Sequence, residues 1–266
     1  STFTMGSLSH IIFLYIIQFS AEKSKVEKKR GNMDIYSSLL KAIEQEYAPV
    51  RSLKEGARGS VSVVRHRKSG RRYVFRHFSG SGEVYRKLLT VLCPHLPQIY
   101  EVGIQDANVA VLEEYVQGDT LAYLLQGGLL PPEEARRITK ELCQGLWVLH
   151  SMGAVHRDIK PENVILRGSE AVLIDFDASR LYKDESDGDT RILGTTGYAA
   201  PEQYGITQSD QRADIYSLGV LLNIMITGEH PSKKLASGRI GQIVQRCTMT
   251  APKQRYQTVL ALMERL

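Results

Sequence analysis

The stretch Val155-His156-Arg157-Asp158-Ile159-Lys160-Pro161-Glu162-Asn163 combines charged and amide side chains. A short apolar run and a second acidic cluster, Leu173-Ile174-Asp175-Phe176-Asp177, follow it closely. Asp158 offers a carboxylate that can orient and deprotonate a hydroxyl group, and Lys160 adds a cation that can hold a phosphate. Asn163 and Asp175 supply hard oxygen atoms, which suit a Mg²⁺ ion that carries phosphate oxygens. These residue types therefore indicate the chemistry of phosphoryl transfer.

The eight residues from His156 to Asn163 resemble the catalytic loop of eukaryotic-type protein kinases, H-R-D-x-K-P-E-N followed by D-F-G. Asp177 stands where that family has the glycine. The resemblance covers roughly residues 53–266 and has a bacterial character. It implies an α+β, two-lobed fold with a small, mostly-β N-lobe and a larger, mostly-α C-lobe. The short interval between Gly228 and Arg255 predicts a trimmed C-lobe.

The resemblance also implies a set of catalytic and metal-binding residues. Asp158 would position the substrate hydroxyl, and Lys160 would steady the γ-phosphate of ATP. Thr195 would form hydrogen bonds near both, and this pairing of Lys160 with Thr195 looks like the Ser/Thr-specific branch. Asn163 and Asp175 would hold Mg²⁺.

Further structural roles follow from the same resemblance. The segment 194–202 ends in A-P-E, and the family pairs Glu202 with an arginine that falls at Arg255. Asp214 would brace the backbone of the catalytic loop. Ser186 and Thr190 are candidate phosphate acceptors in the polar segment 182–191, which precedes residues 194–202.

A glycine-containing stretch near residue 56 matches part of the nucleotide-binding loop, G-x-G-x-x-G-x-V. Gly56, Gly59 and Val61 fit this pattern, whereas Lys54 replaces its first glycine. Glycines let backbone N–H groups approach phosphates closely. A plain hairpin explains the stretch equally well when it is taken alone.

The strand that follows carries Arg76 where the family has the lysine of V-A-I-K, which grips the α- and β-phosphates. Arginine keeps the charge but is longer, planar and forked, so it is not equivalent to an ammonium group. The family pairs that cation with a glutamate on the next helix, and Glu83 is the candidate. A solvent-facing carboxylate in the first turn of that helix is an equal interpretation of Glu83.

Residues beside the expected adenine site follow the same logic. The resemblance implies that the Glu114 carbonyl and the Val116 N–H read the adenine edge, and that Ile165 forms the floor beneath it. Glu113 borders the back of the pocket, where an apolar residue is more usual. A buried carboxylate there needs a partner, and the sequence does not name it.

Composition constrains the setting of the chain. It has 266 residues, a formal net charge of +5 and three separated cysteines, which favours reduced thiols in the cytoplasm. Residues 1–32 are expected to be a leader or upstream extension, or a peripheral membrane contact through residues 8–30. A helix over 33–48 and a kinase-like domain over 49–266 follow, the latter divided into 49–116 and 117–266.

The sequence thus predicts a Ser/Thr protein kinase that uses ATP and Mg²⁺ to phosphorylate protein hydroxyls, with no nucleic-acid partner. The departures at Lys54, Arg76 and Asp177 leave open a nucleotide- or partner-binding module with weak or no transfer. A small-molecule phosphotransferase of related fold is a third interpretation, against which the peptide-binding segment 194–202 argues. The sequence does not indicate the oligomeric state.

Overall fold

A computed structural model describes residues 34–57, 59–181, 195, 197–204 and 209–266. The chain divides into two compact units. The first comprises the described residues up to Leu92 together with Gln98–Tyr115, and the second comprises Cys93–Pro97 and the described residues from Val116 to Leu266. The sequence places the boundary between the two lobes after residue 116. In the structure the first unit ends at Tyr115, and Cys93–Pro97 belongs to the second unit. The leader, residues 1–32, lies outside the described residues.

The first unit is built on a five-stranded antiparallel sheet with the order β1-β2-β3-β5-β4. Its strands are β1 (Tyr47–Gly56), β2 (Gly59–His66), β3 (Arg72–Ser79), β4 (Ile99–Gln105) and β5 (Asn108–Glu114). Two helices accompany the sheet, α1 (Ile35–Glu46) and α2 (Glu83–Leu88). Because β5 lies between β3 and β4, residues of β3 and β5 that are distant in sequence become neighbours.

Helix α1 covers one face of this sheet. Asp34 caps the helix by accepting a hydrogen bond from the backbone N–H of Tyr36. The covered face consists of a cluster of buried side chains, namely Tyr36, Leu39, Val64, Phe75, Ala110 and Leu112. Tyr36 Oη also lies 2.7 Å from His77 Nε2. The helix expected over 33–48 is thus present and packs over a face of the sheet.

Side-chain alternation divides β3 and β5 between the two faces of the sheet. Phe75 lies opposite Leu112 in the ladder, and both face α1. Arg76 lies opposite Val111 and Val74 lies opposite Glu113, so these four side chains point to the other face.

The second unit is mainly helical. Its helices are α3 (Leu121–Gln126), α4 (Pro132–Ser151), α5 (Gln211–Thr227), α6 (Gly238–Cys247) and α7 (Val259–Met263). Helix α5 is buried along most of its length, and Gly228 ends it in a left-handed conformation with φ 74°. Helix α4 packs against α5, α7 and a short strand, β9. After α5, residues 228–266 form only two α-helices, of ten and five residues.

Short strands connect these helices. They are β6 (Asp119–Thr120), β7 (Ala154–Val155), β8 (Val164–Arg167), β9 (Glu170–Leu173) and β10 (Arg180–Leu181). Strand β8 pairs with β6 and β9, and β7 pairs with β10. The loop 156–163 therefore runs from β7 to β8. A mostly-β first unit and a mostly-α second unit confirm the predicted α+β fold.

Within the part of the chain that the structure describes, no helix is long and apolar enough to cross a membrane. The three cysteines are free thiols, and Cys143 and Cys247 are buried.

Candidate active site

A carboxylate at the start of α5 holds the backbone of the loop that carries Asp158. Asp214 has no exposed surface and accepts hydrogen bonds from the backbone N–H groups of His156 (2.9 Å) and Arg157 (2.8 Å). His150, at the end of α4, donates from Nε2 to the same carboxylate (2.8 Å). The bracing role predicted for Asp214 is confirmed.

Burial and hydrogen bonding act in opposite directions on Asp214. Burial raises its pKa, but the hydrogen bond and charge of His150, the charge of His156 and the N–H of Arg157 together hold the pKa below its usual value. Burial lowers the pKa of His156 despite the neighbouring carboxylates of Asp214, Asp158 and Asp175. The His156 imidazole is therefore neutral near pH 7, as a packed ring beside Phe176 (centroids 5.5 Å apart).

Asp158, Lys160 and Thr195 form one hydrogen-bonded group. Lys160 Nζ donates to Thr195 Oγ1 (2.7 Å) and forms an ion pair with Asp158 Oδ2 (2.7 Å). The Thr195 hydroxyl in turn donates to Asp158 Oδ1 (2.7 Å). The Asp158 and Lys160 side chains remain 16% and 20% exposed, so water or a substrate can reach both. The predicted contacts of Thr195 with the two charged residues are thus present.

Asn163 completes the surroundings of Asp158. Its Nδ2 donates to Asp158 Oδ2 (3.0 Å) and to the Asp158 carbonyl (2.8 Å). Because the amide nitrogen points to Asp158, the other end of the amide, Oδ1, is the atom that suits a cation.

The ends of β8 and β9 bring Asp175 near Asn163. The backbone N–H of Ile174, the residue before Asp175, donates to the Asn163 carbonyl (2.9 Å). One carboxylate and one amide oxygen fit Mg²⁺, which retains waters and relies on substrate phosphates for further ligands. Among the described residues, no group of three or more His, Cys, Asp or Glu side chains that could hold a metal ion occurs.

Backbone strain marks the same region. Among the described residues, three that are not glycine have positive φ, and two of them are Arg157 (72°) and Asp175 (70°). Such conformations cost of order 1 to 3 kcal/mol and cluster at functional sites. Arg157 directly precedes Asp158, and Asp175 is itself a predicted Mg²⁺ ligand.

In the first unit, Arg76 forms an ion pair with Glu113. Arg76 Nε lies 2.7 Å from Glu113 Oε1, and the two side chains are 5% and 3% exposed. The partner that the sequence left unnamed for Glu113 is therefore Arg76. Glu83 begins α2 with an exposed side chain, and the structure does not bring its carboxylate to Arg76 among the described residues.

The predicted nucleotide-loop residues lie on the β1–β2 hairpin. Gly56 pairs with Gly59, and Val61 is buried and lies opposite Arg76 in the ladder. A Cβ on Gly59 would lie 2.3 Å from the His77 carbonyl oxygen, at φ 144°, so the sheet itself requires this glycine. A Cβ on Gly56 would meet nothing within 4 Å.

The three residues expected beside adenine occupy separate elements. Glu114 ends β5, and its side chain accepts a hydrogen bond from the Gln98 N–H (3.1 Å). Val116 is buried in the second unit, and Ile165 lies in β8 opposite Thr120. Their roles toward adenine stay predictions.

Arg255 is anchored as the sequence predicts. Its Nη1 and Nη2 donate to the two carboxylate oxygens of Glu202 (2.6 and 2.8 Å), and its side chain has no exposed surface. It also donates to the carbonyls of Met249, Thr250 and Arg212.

Sequence reasoning missed two residues that support the loop. Gln203, fully buried, donates from Nε2 to the Arg157 carbonyl (2.9 Å) and accepts from the Ala200 N–H (3.0 Å). His150 supports Asp214 from α4. Its position in the last turn of an amphipathic helix was the one available signal, and a histidine there also fits a helix-end cation.

Comparisons with known proteins identify the family to which this domain belongs. The sequence model of the family described as "Protein kinase domain" matches residues 47–265. The chain belongs to this family, in its bacterial eukaryotic-type Ser/Thr kinase branch, which confirms the resemblance seen in the sequence.

Curated relatives show the same similarity. Serine/threonine-protein kinase pkn2 of Myxococcus xanthus is 29% identical over 71% of this chain and 25% of its own length. Serine/threonine-protein kinase PknB of Mycobacterium leprae is 34% identical over 52% of this chain and 24% of its own. Probable serine/threonine-protein kinase pknA2 of Bifidobacterium longum is 30% identical over 71% and 27%. The chain thus spans about a quarter of the length of these relatives.

Proposed function

We propose that this chain transfers the γ-phosphoryl group of ATP to a serine or threonine hydroxyl of a protein. The observation that carries the proposal is the hydrogen-bond arrangement of Asp158, Lys160 and Thr195. An ionised carboxylate offers about four lone-pair sites. Those of Asp158 accept from Thr195 on Oδ1 and from Lys160 and Asn163 on Oδ2. One site on Oδ1 remains to accept a substrate hydroxyl.

The same accounting applies to Lys160. Its ammonium has three N–H donors, and among the described residues two of them serve Thr195 and Asp158. The third suits an oxygen of the γ-phosphate. One acceptor for a hydroxyl and one donor for a phosphate, held side by side, are what phosphoryl transfer requires.

Phosphoryl transfer at this site would form one bond, break one bond and move one proton. The substrate hydroxyl oxygen forms a bond to the γ-phosphorus while the bond from that phosphorus to the β,γ-bridging oxygen breaks. ADP leaves with the electron pair, and the hydroxyl proton passes to Asp158. Lys160 steadies the charge on the transferred group, and Asn163 and Asp175 would hold Mg²⁺, which neutralises phosphate charge when it is bound.

Nucleotide binding by the residues named from the sequence is part of the proposal. Gly56, Gly59, Val61 and Arg76 would serve the phosphates, and Glu114, Val116 and Ile165 the adenine. Glu83 keeps only the sequence pattern as support, because it forms no ion pair with Arg76 among the described residues. A cytoplasmic location, suggested by the reduced cysteines, stays a prediction.

A second candidate function is a nucleotide- or partner-binding module with weak or no transfer. The observation that favours it is the engagement of Arg76 by Glu113, which occupies the cation expected at the phosphates. The intact group around Asp158 favours transfer.

The test is a transfer assay with Mg²⁺ and γ-labelled ATP, using a generic basic protein and a panel of small hydroxyl compounds. Asp158→Asn should lower protein labelling by 10²-fold or more, since general-base catalysis contributes about 10² to 10⁴. Asp106→Asn is the matched control, because Asp106 is an exposed turn residue with φ 52° that asparagine also accepts.

Three outcomes decide between the candidates. Protein labelling that Asp158→Asn abolishes and Asp106→Asn preserves supports the kinase. Nucleotide binding without label on any acceptor supports the binding module. Label on small hydroxyl compounds alone would indicate a small-molecule phosphotransferase.

A further inference from the structure

Arg76 and Glu113 meet because of the strand order and register of the first sheet. Strands β3 and β5 are antiparallel neighbours in which Val74 lies opposite Glu113 and Arg76 lies opposite Val111. Arg76 and Glu113 are therefore diagonal neighbours on one face, within reach of long side chains. Their bond, Nε to Oε1 at 2.7 Å, is fixed by two central strands of the sheet.

Burial makes this pair demanding. Both side chains are at least 95% buried, and charges taken out of water need a well-placed partner. Removing one member of a buried ion pair is strongly destabilising. Glu113 therefore helps to fix the position of the Arg76 guanidinium.

Glu83 of helix α2 does not form such a pair among the described residues. The helix has six residues, and Glu83, its first residue, is exposed. Protein kinases place the cation of this strand through a glutamate on that helix, so that movement of the helix controls activity.

We propose that Glu113 is the positioning residue for Arg76, and that the sheet, independently of α2, fixes the cation that meets the nucleotide phosphates. The proposal rests on the proposed kinase function and adds its mode of control: the N-terminal unit keeps its cation in place whatever the position of α2. An arginine at position 76 suits this role. A guanidinium offers several N–H donors along a planar fork, and Nε is the one that donates to Glu113.

The test measures the KM for ATP, kcat, and the Kd for a fluorescent ATP analogue. Glu113→Gln and Arg76→Met should each raise KM and Kd about 10-fold or more, the effect of losing one charged contact to phosphate. The double variant should be no worse than the weaker-binding single variant, within about twofold, because both changes remove the same contact.

Two further variants locate the effect. Glu83→Gln should change KM less than threefold, and the exposed Glu44→Gln on α1 provides the surface control. KM and Kd report the folded fraction alone, so partial unfolding does not imitate the result. Should Glu113→Gln yield no folded protein, Glu113→Asp decides: it keeps the charge on a shorter stem and should raise KM at least threefold.

Several results would overturn the proposal. The first is an unchanged KM and Kd in Glu113→Gln, or in Glu113→Asp where that variant decides. The second is a double variant in which the effects of the two single changes on Kd multiply. The third is a larger increase in KM from Glu83→Gln than from Glu113→Gln. A wild-type protein that binds the analogue but transfers no phosphate would refute the kinase function alone, since the Kd comparisons still test the role of Glu113.

Discussion

Replacing Asp214 by asparagine tests how far one buried carboxylate sustains both the fold and the loop that carries Asp158. Asp214 accepts three hydrogen bonds, two on Oδ2 from His150 and His156 and one on Oδ1 from Arg157. The best orientation of asparagine keeps its oxygen toward the first two donors and turns its NH₂ toward the Arg157 N–H.

The magnitude follows from this count. The bond to Arg157 is lost at about 1.5 to 3 kcal/mol, and the other two weaken from charged to neutral bonds at about 1 kcal/mol each. We therefore expect Asp214→Asn to lower the free energy of unfolding by about 4 kcal/mol, a large part of the 5 to 15 kcal/mol typical of a domain.

The assay is urea unfolding followed by the fluorescence of Trp147, the single tryptophan, which lies in α4 of the same unit. The control is Asp210→Asn, the N-cap of the same helix, which accepts from the Arg212 N–H (2.8 Å). Asparagine caps helices as well as aspartate does, so this control should lose less than about 1 kcal/mol.

The two variants should also differ in kinetics and in acid. Asp214→Asn should lower kcat because the Asp158 loop loses its brace, while Asp210→Asn should not. The pKa of Asp214 is depressed, so its contribution is complete above the unfolded pKa and is lost as pH falls through the lower folded value. The gap between wild type and Asp214→Asn should narrow below about pH 4. Equal stability losses in the two variants near pH 7 would refute the reasoning.

Further predictions concern the remaining supports of the fold. Glu202→Gln should cost about 3 to 5 kcal/mol in urea unfolding because it leaves the buried Arg255 guanidinium uncompensated, and a loss below 1 kcal/mol would contradict this. Burial lowers the pKa of His156, so the unfolded chain binds the extra proton below about pH 6.5, and stability should fall there by up to about 1.4 kcal/mol per pH unit. His156→Gln should remove that slope, and an unchanged slope would assign it to other groups. Gly103→Ala should loosen α1, since its Cβ would lie 2.5 Å from the Tyr36 Cα, and faster amide exchange in α1 would report it.

Local motifs made the chemistry of the second unit predictable. Asp158, Lys160 and Asn163 are within six residues, and Asp175 follows after one short hairpin, so their spacing in sequence nearly sets their spacing in the fold. The helices α4 and α5 are also predictable, because each has an apolar pattern with helical spacing.

Contacts that depend on strand order were not predictable. Glu113 meets Arg76 across 37 positions because β5 lies beside β3 in the sheet, and no local pattern encodes that neighbour. The apolar stripe of α1 predicts a buried face but not which surface it covers. His150 and Gln203 act through a fully buried carboxylate and a backbone carbonyl, contacts that leave no mark in residue spacing.

Helix α1 determines where an expressed fragment of this chain should begin. The family match starts at residue 47, directly after α1 ends at Glu46. A fragment that starts at residue 47 would expose Phe75 and Leu112 to solvent on an uncovered sheet face. We expect such a fragment to aggregate. Expression should start no later than Asp34.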